Sequence, residues 1–302
     1  MDRVLRSRIF RAARAASVLG GVPLLIATMG ESSRADVAAS PDITLSLSGV
    51  VVEDREVAID DLMGGIALEG FGGLPDGSEV DAYHEEGDGS VLFSTGTTVS
   101  FSGGAVVAGP EDVVKLDAGA YSLEFDGSVA GIPSGTNLDG VSREAGGDLI
   151  LSFDTTLALS GGGAADDEDL VRYDGVALSL ALDLSSLALV PPFGPGLDVD
   201  AADARPGGVW AVSFDTTGSA GGVTFDDEDV VLVDPGGPSV TLDFDASTVH
   251  ASWSGADLDA VMLPEPGPWA GVAAGIALLG WRSRGLRRAG PDRSRCRYRC
   301  DS

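Results

Sequence analysis

Between positions 36 and 263 the chain has no cysteine, and only Arg55, Lys115, Arg143, Arg172 and Arg205 carry positive charge there. The missing cysteines exclude a disulfide framework or a thiolate metal site in the body. Cys296 and Cys300 stand in a basic tail, where a lone C-x3-C pair supplies too few ligands for structural zinc and says nothing of redox compartment. Histidine is nearly absent: His84 and His250 are the only two, and each stands apart from a second catalytic group, although Glu85 and Glu86 follow His84. There is no G-x-S-x-G elbow, H-E-x-x-H helix or phosphate-binding loop, and no G-x-G-x-x-G in a strand-helix setting. No catalytic residue is assigned.

What fills the body is acid and glycine. Forty-two of the 47 Asp and Glu lie between positions 36 and 263, and the chain's net charge is −28. Such a surface repels nucleic acid and attracts cations. A hydrophobic content of 44% and 43 glycines exclude a disordered acidic tail and point to many short strands and turns.

Both ends differ from the middle. A basic stretch, MDRVLRSRIFRAAR, precedes the apolar AASVLGGVPLLIATMG, and small residues lead to a cut between Ala35 and Asp36. These are the three parts of a secretory signal peptide, cleaved by signal peptidase. Without an adjacent arginine pair, general secretion is the simpler route. At the other end Pro264-Glu265-Pro266 precedes a 13-residue apolar stretch, Trp269 to Trp281, and the arginines Arg282, Arg284, Arg287 and Arg288. As a helix this stretch reaches roughly 20 Å, short against a hydrocarbon core of about 30 Å, and suits a temporary transmembrane stop.

The triplet of PEP motif, short apolar helix and arginine cluster resembles the PEP-CTERM sorting signal of bacterial surface proteins. The resemblance covers residues 263–288 and leaves a basic tail, 289–302, beyond the arginines. It implies recognition by an exosortase, a membrane cysteine transpeptidase, a transient inner-membrane precursor, and delivery to the cell surface or extracellular matrix.

The body repeats itself. LILSFDTT (149–156) recurs as WAVSFDTT (210–217) and more loosely as VLFSTGTT (91–98). After each come an acidic step into an apolar strand (EDVVKLD, EDLVRYD, EDVVLVD), an alternating strand (AYSLEFDGS, ALSLALDLS, SVTLDFDAS) and a short strand (LDGV, VDAA, LDAV). A degraded first copy runs through DITLSLSG, EDREVAID, GIALEGF and VDAY. The alternation places Tyr121, Leu123 and Phe125, Leu178, Leu180 and Leu182, and Val240, Leu242 and Phe244 on inward faces. A period near 60 gives units of about 42–86, 87–144, 145–206 and 207–262 within a 36–262 domain. The chain enters on the second strand of a unit and leaves on the first, so LDAV (258–261) closes the ring against ITLSLS (43–48). The fold class is all-β, a four-bladed β-propeller, with a β-solenoid or an array of β-sandwiches as the alternative. Similar repeats occur in uncharacterised secreted bacterial proteins, a resemblance that implies no activity.

The acidic steps DDED at 166–169 and 226–229 have two readings. Charges at strand starts solvate and protect edges; equally, the hard oxygens of Asp167, Asp169, Asp227 and Asp229 are weak calcium candidates, without the spacing of an EF-hand loop. Gly-rich runs such as SGGGAADD (160–167) read as loops. Trp210 and Trp253 offer carbohydrate stacking or core packing. The expected function is therefore an exported, exosortase-sorted structural or binding protein with extracellular polysaccharide as a candidate partner; the alternative is a calcium-dependent secreted propeller hydrolase or lactonase.

Overall fold

The computed structural model describes residues 36–263 apart from 72, 73 and 195. Within them four antiparallel sheets of four strands form, each running from an inner to an outer strand. Blade 1 comprises Leu258–Met262, Val37–Pro41, Val57–Asp60 and Ile66–Glu69. Blade 2 is Ala82–Glu85, Val91–Ser94, Val113–Asp117 and Ala120–Phe125. Blade 3 is Gly140–Arg143, Leu149–Ser152, Leu170–Tyr173 and Leu178–Leu182, and blade 4 is Ala201–Arg205, Val209–Ser213, Asp229–Asp234 and Ser239–Asp245. The inner strands pack side by side in that order, and the last packs on the first. The domain is a closed four-bladed β-propeller.

Closure follows the expected phase with a different partner. Leu258–Met262 pairs with Val37–Pro41, with Ala38 opposite Met262 and Ala39 opposite Val261. The expected partner, 43–48, instead folds back: Leu45–Leu47 pairs with Val50–Val52. Ser48 and Gly49 both take positive φ (47° and 88°), the turn that matches a two-residue hairpin. The closing strand has neighbours on both sides, and all five residues of VAASP are buried; LSL alternates buried and exposed and suits a half-covered hairpin.

Every blade carries such a hairpin between its second and third strands. The others are Val99–Phe101 with Val106–Ala108, Leu157–Ala158 with Ala164–Ala165, and Gly218–Ala220 with Val223–Phe225. SGGGAADD is accordingly the turn and return of a hairpin. At two or three residues a strand, these elements are too short for an apolar period to reveal.

The outer strands follow the predicted alternation at their ends only. Phe125, Leu178, Leu182, Val240 and Phe244 are buried, yet Leu180 is 38% and Leu242 41% exposed. In each case the register skips: Val113 faces Phe125 and Val114 faces Leu123, leaving Glu124 as an extra residue. Ala181 and Asp243 are the equivalent extras. These bulges bend the rim strands and blunt an edge open to further pairing.

The core lies between neighbouring sheets. One cluster joins Val37, Val52 and Ala58 of blade 1 to Ala201, Val230 and Phe244 of blade 4. Buried serines bridge blades as well: Ser94 Oγ donates to the Leu138 carbonyl at 2.7 Å, and Ser213 Oγ to that of Leu258 at 3.3 Å. Each ties a second strand to the start of the next inner strand. Among the described residues no helix is long and apolar enough to cross a membrane.

Candidate functional site

The four inner strands put equivalent residues around one axis, and the two ends of that axis differ in chemistry. Each strand is entered through an apolar-Asp-small step: Val80-Asp81-Ala82, Leu138-Asp139-Gly140, Val199-Asp200-Ala201 and Leu258-Asp259-Ala260. The apolar members are fully buried and anchor the step in the blade packing. Asp81, Asp139, Asp200 and Asp259 then line a cavity of about 130 Å³ together with Glu79 and Asn137. A further ring supports them: Asp154, Asp215 and Asp42 accept the amides of Asn137, Asp198 and Asp257 at 3.1, 3.1 and 2.8 Å. Blade 2 has Gly96 at this position, and the carboxylates of Asp81 and Glu79 crowd the space a side chain there would fill.

No cation side chain lines that cavity, so burial and mutual repulsion act together. Burial raises Asp139 to about 9, with Asp198, Asp154 and Asp81 adding repulsion. Burial raises Asp259 to about 8, Asp198 to about 7 and Asp81 to about 6. Asp200 and Asp257 are likewise raised by burial.

Three residues along each inner strand the equivalence breaks. Counted from the ring of aspartates the positions are His84, Ser142, Asp203 and Met262, four different chemistries. His84, Asp203 and Met262 line a cleft of about 1060 Å³, walled by Arg143, Arg205, Trp210 and the inner turns of blades 2, 3 and 4. Ser142 Oγ gives its hydrogen to Asp203 Oδ1 (3.1 Å) and accepts the Ala204 amide (2.9 Å). With that hydrogen on Asp203, His84 Nδ1 at 3.4 Å can only donate to the same oxygen. Ser142 has no exposed surface, so it bridges three blades and does not face the cleft as a nucleophile. Burial lowers His84 to about 4, and it is neutral at pH 7. Burial raises Asp203 to about 6 while Arg205, 3.2 Å away, opposes the rise.

Four of the five body cations gather at this end. Arg143 donates to Glu86 (2.6 Å) and Glu124 (2.5 Å), Lys115 meets Glu86 at 3.4 Å, and Arg172 grips Glu144 through two bonds of 2.7 and 2.9 Å. Arg205 also donates to the Leu263 carbonyl, fixing the end of the ring-closing strand beside the cleft. These bases are visible in the sequence by their scarcity, but only the ring brings them together.

The predicted calcium candidates serve turns. Asp169 and Asp229 each accept the amide three residues earlier, from Asp166 (3.0 Å) and Asp226 (2.9 Å), while Thr156 and Thr217 donate to those same aspartates. Asp112 repeats the lock on Gly109. Asp167 and Asp227 sit half-buried in different blades, where they act through charge on Asp198 and Asp257. Among the described residues no three His, Cys, Asp or Glu are placed to enclose a metal ion. His250 Nε2 lies 2.8 Å from Asp60 and so has a structural partner. Trp210 and Trp253 are 5% and 2% exposed and belong to the core. Asp36 is the first described residue. Ala35, the Pro264-Glu265-Pro266 motif, Arg282, Arg284, Arg287, Arg288 and both cysteines lie outside the described residues.

No protein-family model matches the chain, and no curated protein matches it. Among solved structures it is similar to a protein of unknown function from Bacteroides caccae, at 10% identity over 71% of this chain and 74% of that one, with a TM-score of 0.33. Virginiamycin B lyase from Staphylococcus aureus matches at 8% identity over 69% of this chain and 70% of that one, TM-score 0.33. The extracellular domain of a putative hybrid two-component system from B. thetaiotaomicron matches at 8% identity over 68% of this chain and 21% of that one, TM-score 0.31. Likeness this distant adds no chemistry to either end of the axis; the ring of four sheets defines the fold.

Proposed function

We propose that this chain is an exported, exosortase-sorted protein of the bacterial envelope or extracellular matrix whose propeller binds a ligand without transforming it. The export reading rests on the basic-apolar-small leader ending at Ala35 and on the PEP, apolar and arginine signals at the other end. The binding reading is carried by the cleft of about 1060 Å³, where scarce cations, turn carboxylates and glycine backbone converge. Such a surface offers donors and acceptors at short range with its charges already paired. It fits a hydroxyl-rich, weakly charged polymer such as an extracellular polysaccharide; a polyanion is repelled by the chain's net charge of −28.

Gly146 tests the cleft. It lines the cavity, and nothing lies within 4 Å of a Cβ added there. Gly146 is exposed and outside the core, so Gly146→Trp places an indole at the cleft wall. Calorimetric titration with the producing cell's exopolysaccharide should show saturable binding to the wild type, at least tenfold weakened by Gly146→Trp at an unchanged Tm. Equal binding by the two would place the ligand elsewhere.

One observation favours the second reading, a hydrolase: His84, Ser142, Asp203 and Met262 are the unlike residues at like positions that catalysis requires. The burial of Ser142 and the direction of its hydrogen bond oppose it. Turnover of a glycosidic or lactone substrate that His84→Ala abolishes would decide for the enzyme.

A further inference from the structure

The acidic end of the ring axis contains more carboxylate than its hydrogen bonds account for. Asp81 and Asp139 are only 5% and 7% exposed, and both line the 130 Å³ cavity. Asp81 Oδ2 and Asp139 Oδ2 are buried without a hydrogen-bond partner, as is Asn137 Oδ1 beside them. The Asn137 amide already donates to Asp139 Oδ1 at 2.6 Å, so its own carbonyl oxygen is the group left without a partner. Three orphaned hard oxygens thus belong to a space with no Lys, Arg or His in its wall. A buried oxygen without a partner destabilises the fold, and more so when it is charged.

We propose that this cavity binds one calcium ion, with Asp81, Asp139 and the Asn137 carbonyl oxygen as its protein ligands and water completing the shell. The volume supports that composition: at about 30 Å³ per water it holds an ion with a few waters. Among the described residues no three carboxylates stand close enough to enclose a bare ion, so the ion keeps part of its hydration. Calcium tolerates six to eight oxygens in irregular geometry, mixing carboxylate, amide carbonyl and water, whereas magnesium demands a near-ideal octahedron. Oxygens presented by separate blades favour the larger, more tolerant ion. Asp200 and Asp259 complete the ring as long-range charge. The site is separate from the cleft, so neither proposal rests on the other.

The test is calorimetric titration of the full-length, chelator-stripped chain with CaCl2 and MgCl2 at pH 7.5 and matched ionic strength. One calcium per chain should bind at least tenfold more tightly than magnesium. Asp81→Asn and Asp139→Asn, each replacing a carboxylate ligand with an amide of the same shape, should each weaken calcium binding at least tenfold. In chelator both should raise Tm, because an amide enters the buried ring without the desolvation that burial imposes on the carboxyl; a purely structural aspartate would lower Tm on replacement. Asp169→Asn with Asp229→Asn, at the turns, should leave the affinity unchanged. Equal heats for the two ions, or affinity unmoved by both Asp81→Asn and Asp139→Asn, would overturn the proposal, the ring then being neutralised by protons alone.

Discussion

Single residues set how closely neighbouring segments pack, within a blade and between blades. A Cβ at Gly127 would lie 2.2 Å from the Glu111 carbonyl oxygen, a backbone atom with no freedom to retreat. Gly127→Ala should therefore cost about 3 kcal/mol, at the upper end of overpacking penalties, read as a lower urea midpoint at constant m. Ser94→Ala strips the Leu138 carbonyl of its 2.7 Å donor and should cost about 1–3 kcal/mol by the same measurement. Neither role is legible in the sequence. Gly127 aligns with Leu184 and Ala246, and nothing in DGS against DLS and DAS says which position meets a carbonyl. The aspartates before them are legible: Asp126 and Asp245 accept amides three residues on, as the composition of those turns implies.

At the scale of elements, the repeat discloses four units and their phase because each strand type recurs with its flanking chemistry. It misplaces the closing strand, since VAASP has neither alternation nor bulk, while ITLSLS alternates as a strand should. The aspartates of LDGV, VDAA and LDAV are plain as a repeated step, but their convergence on one axis is a property of the closed ring. Removing residues 37–41 should leave Leu258–Met262 unpaired and open the ring, because closure protects every blade. The truncated chain should aggregate or lose its cooperative melt, whereas replacing the turn Ser48-Gly49 with Asn-Gly should leave Tm within a few degrees, since both turn residues are exposed and Asn accepts the positive φ there.

Across the whole molecule, charge governs how stability responds to solution conditions. Asp139, Asp259, Asp198 and Asp81 have pKa values raised to about 9, 8, 7 and 6 in the fold, against about 3.9 unfolded. Between those limits the folded state holds more protons, so the stability they contribute is full below about pH 4 and is lost as pH rises through 6 to 9. His84 acts oppositely: lowered to about 4, it contributes stability that is lost as pH falls from 6.5 towards 4. Four carboxylates outweigh one histidine. In chelator, Tm should fall steadily from pH 5 to pH 9, and scanning calorimetry across that range checks it. Added NaCl should raise Tm at pH 8 by screening the same repulsion.

All of this depends on a ring in which the last strand lies in the first blade. A cysteine pair replacing Ala38 and Met262, which face each other across the closing strands, with Cys296 and Cys300 changed to Ser, measures that directly. Oxidation of the folded monomer should give one intramolecular disulfide between residues 38 and 262, seen by peptide mass spectrometry, with a higher Tm because the bond closes nearly the whole domain. Thiols that stay free, or that link only between molecules, in a protein that keeps its strand spectrum would contradict the closed propeller and the two ends of the axis built upon it.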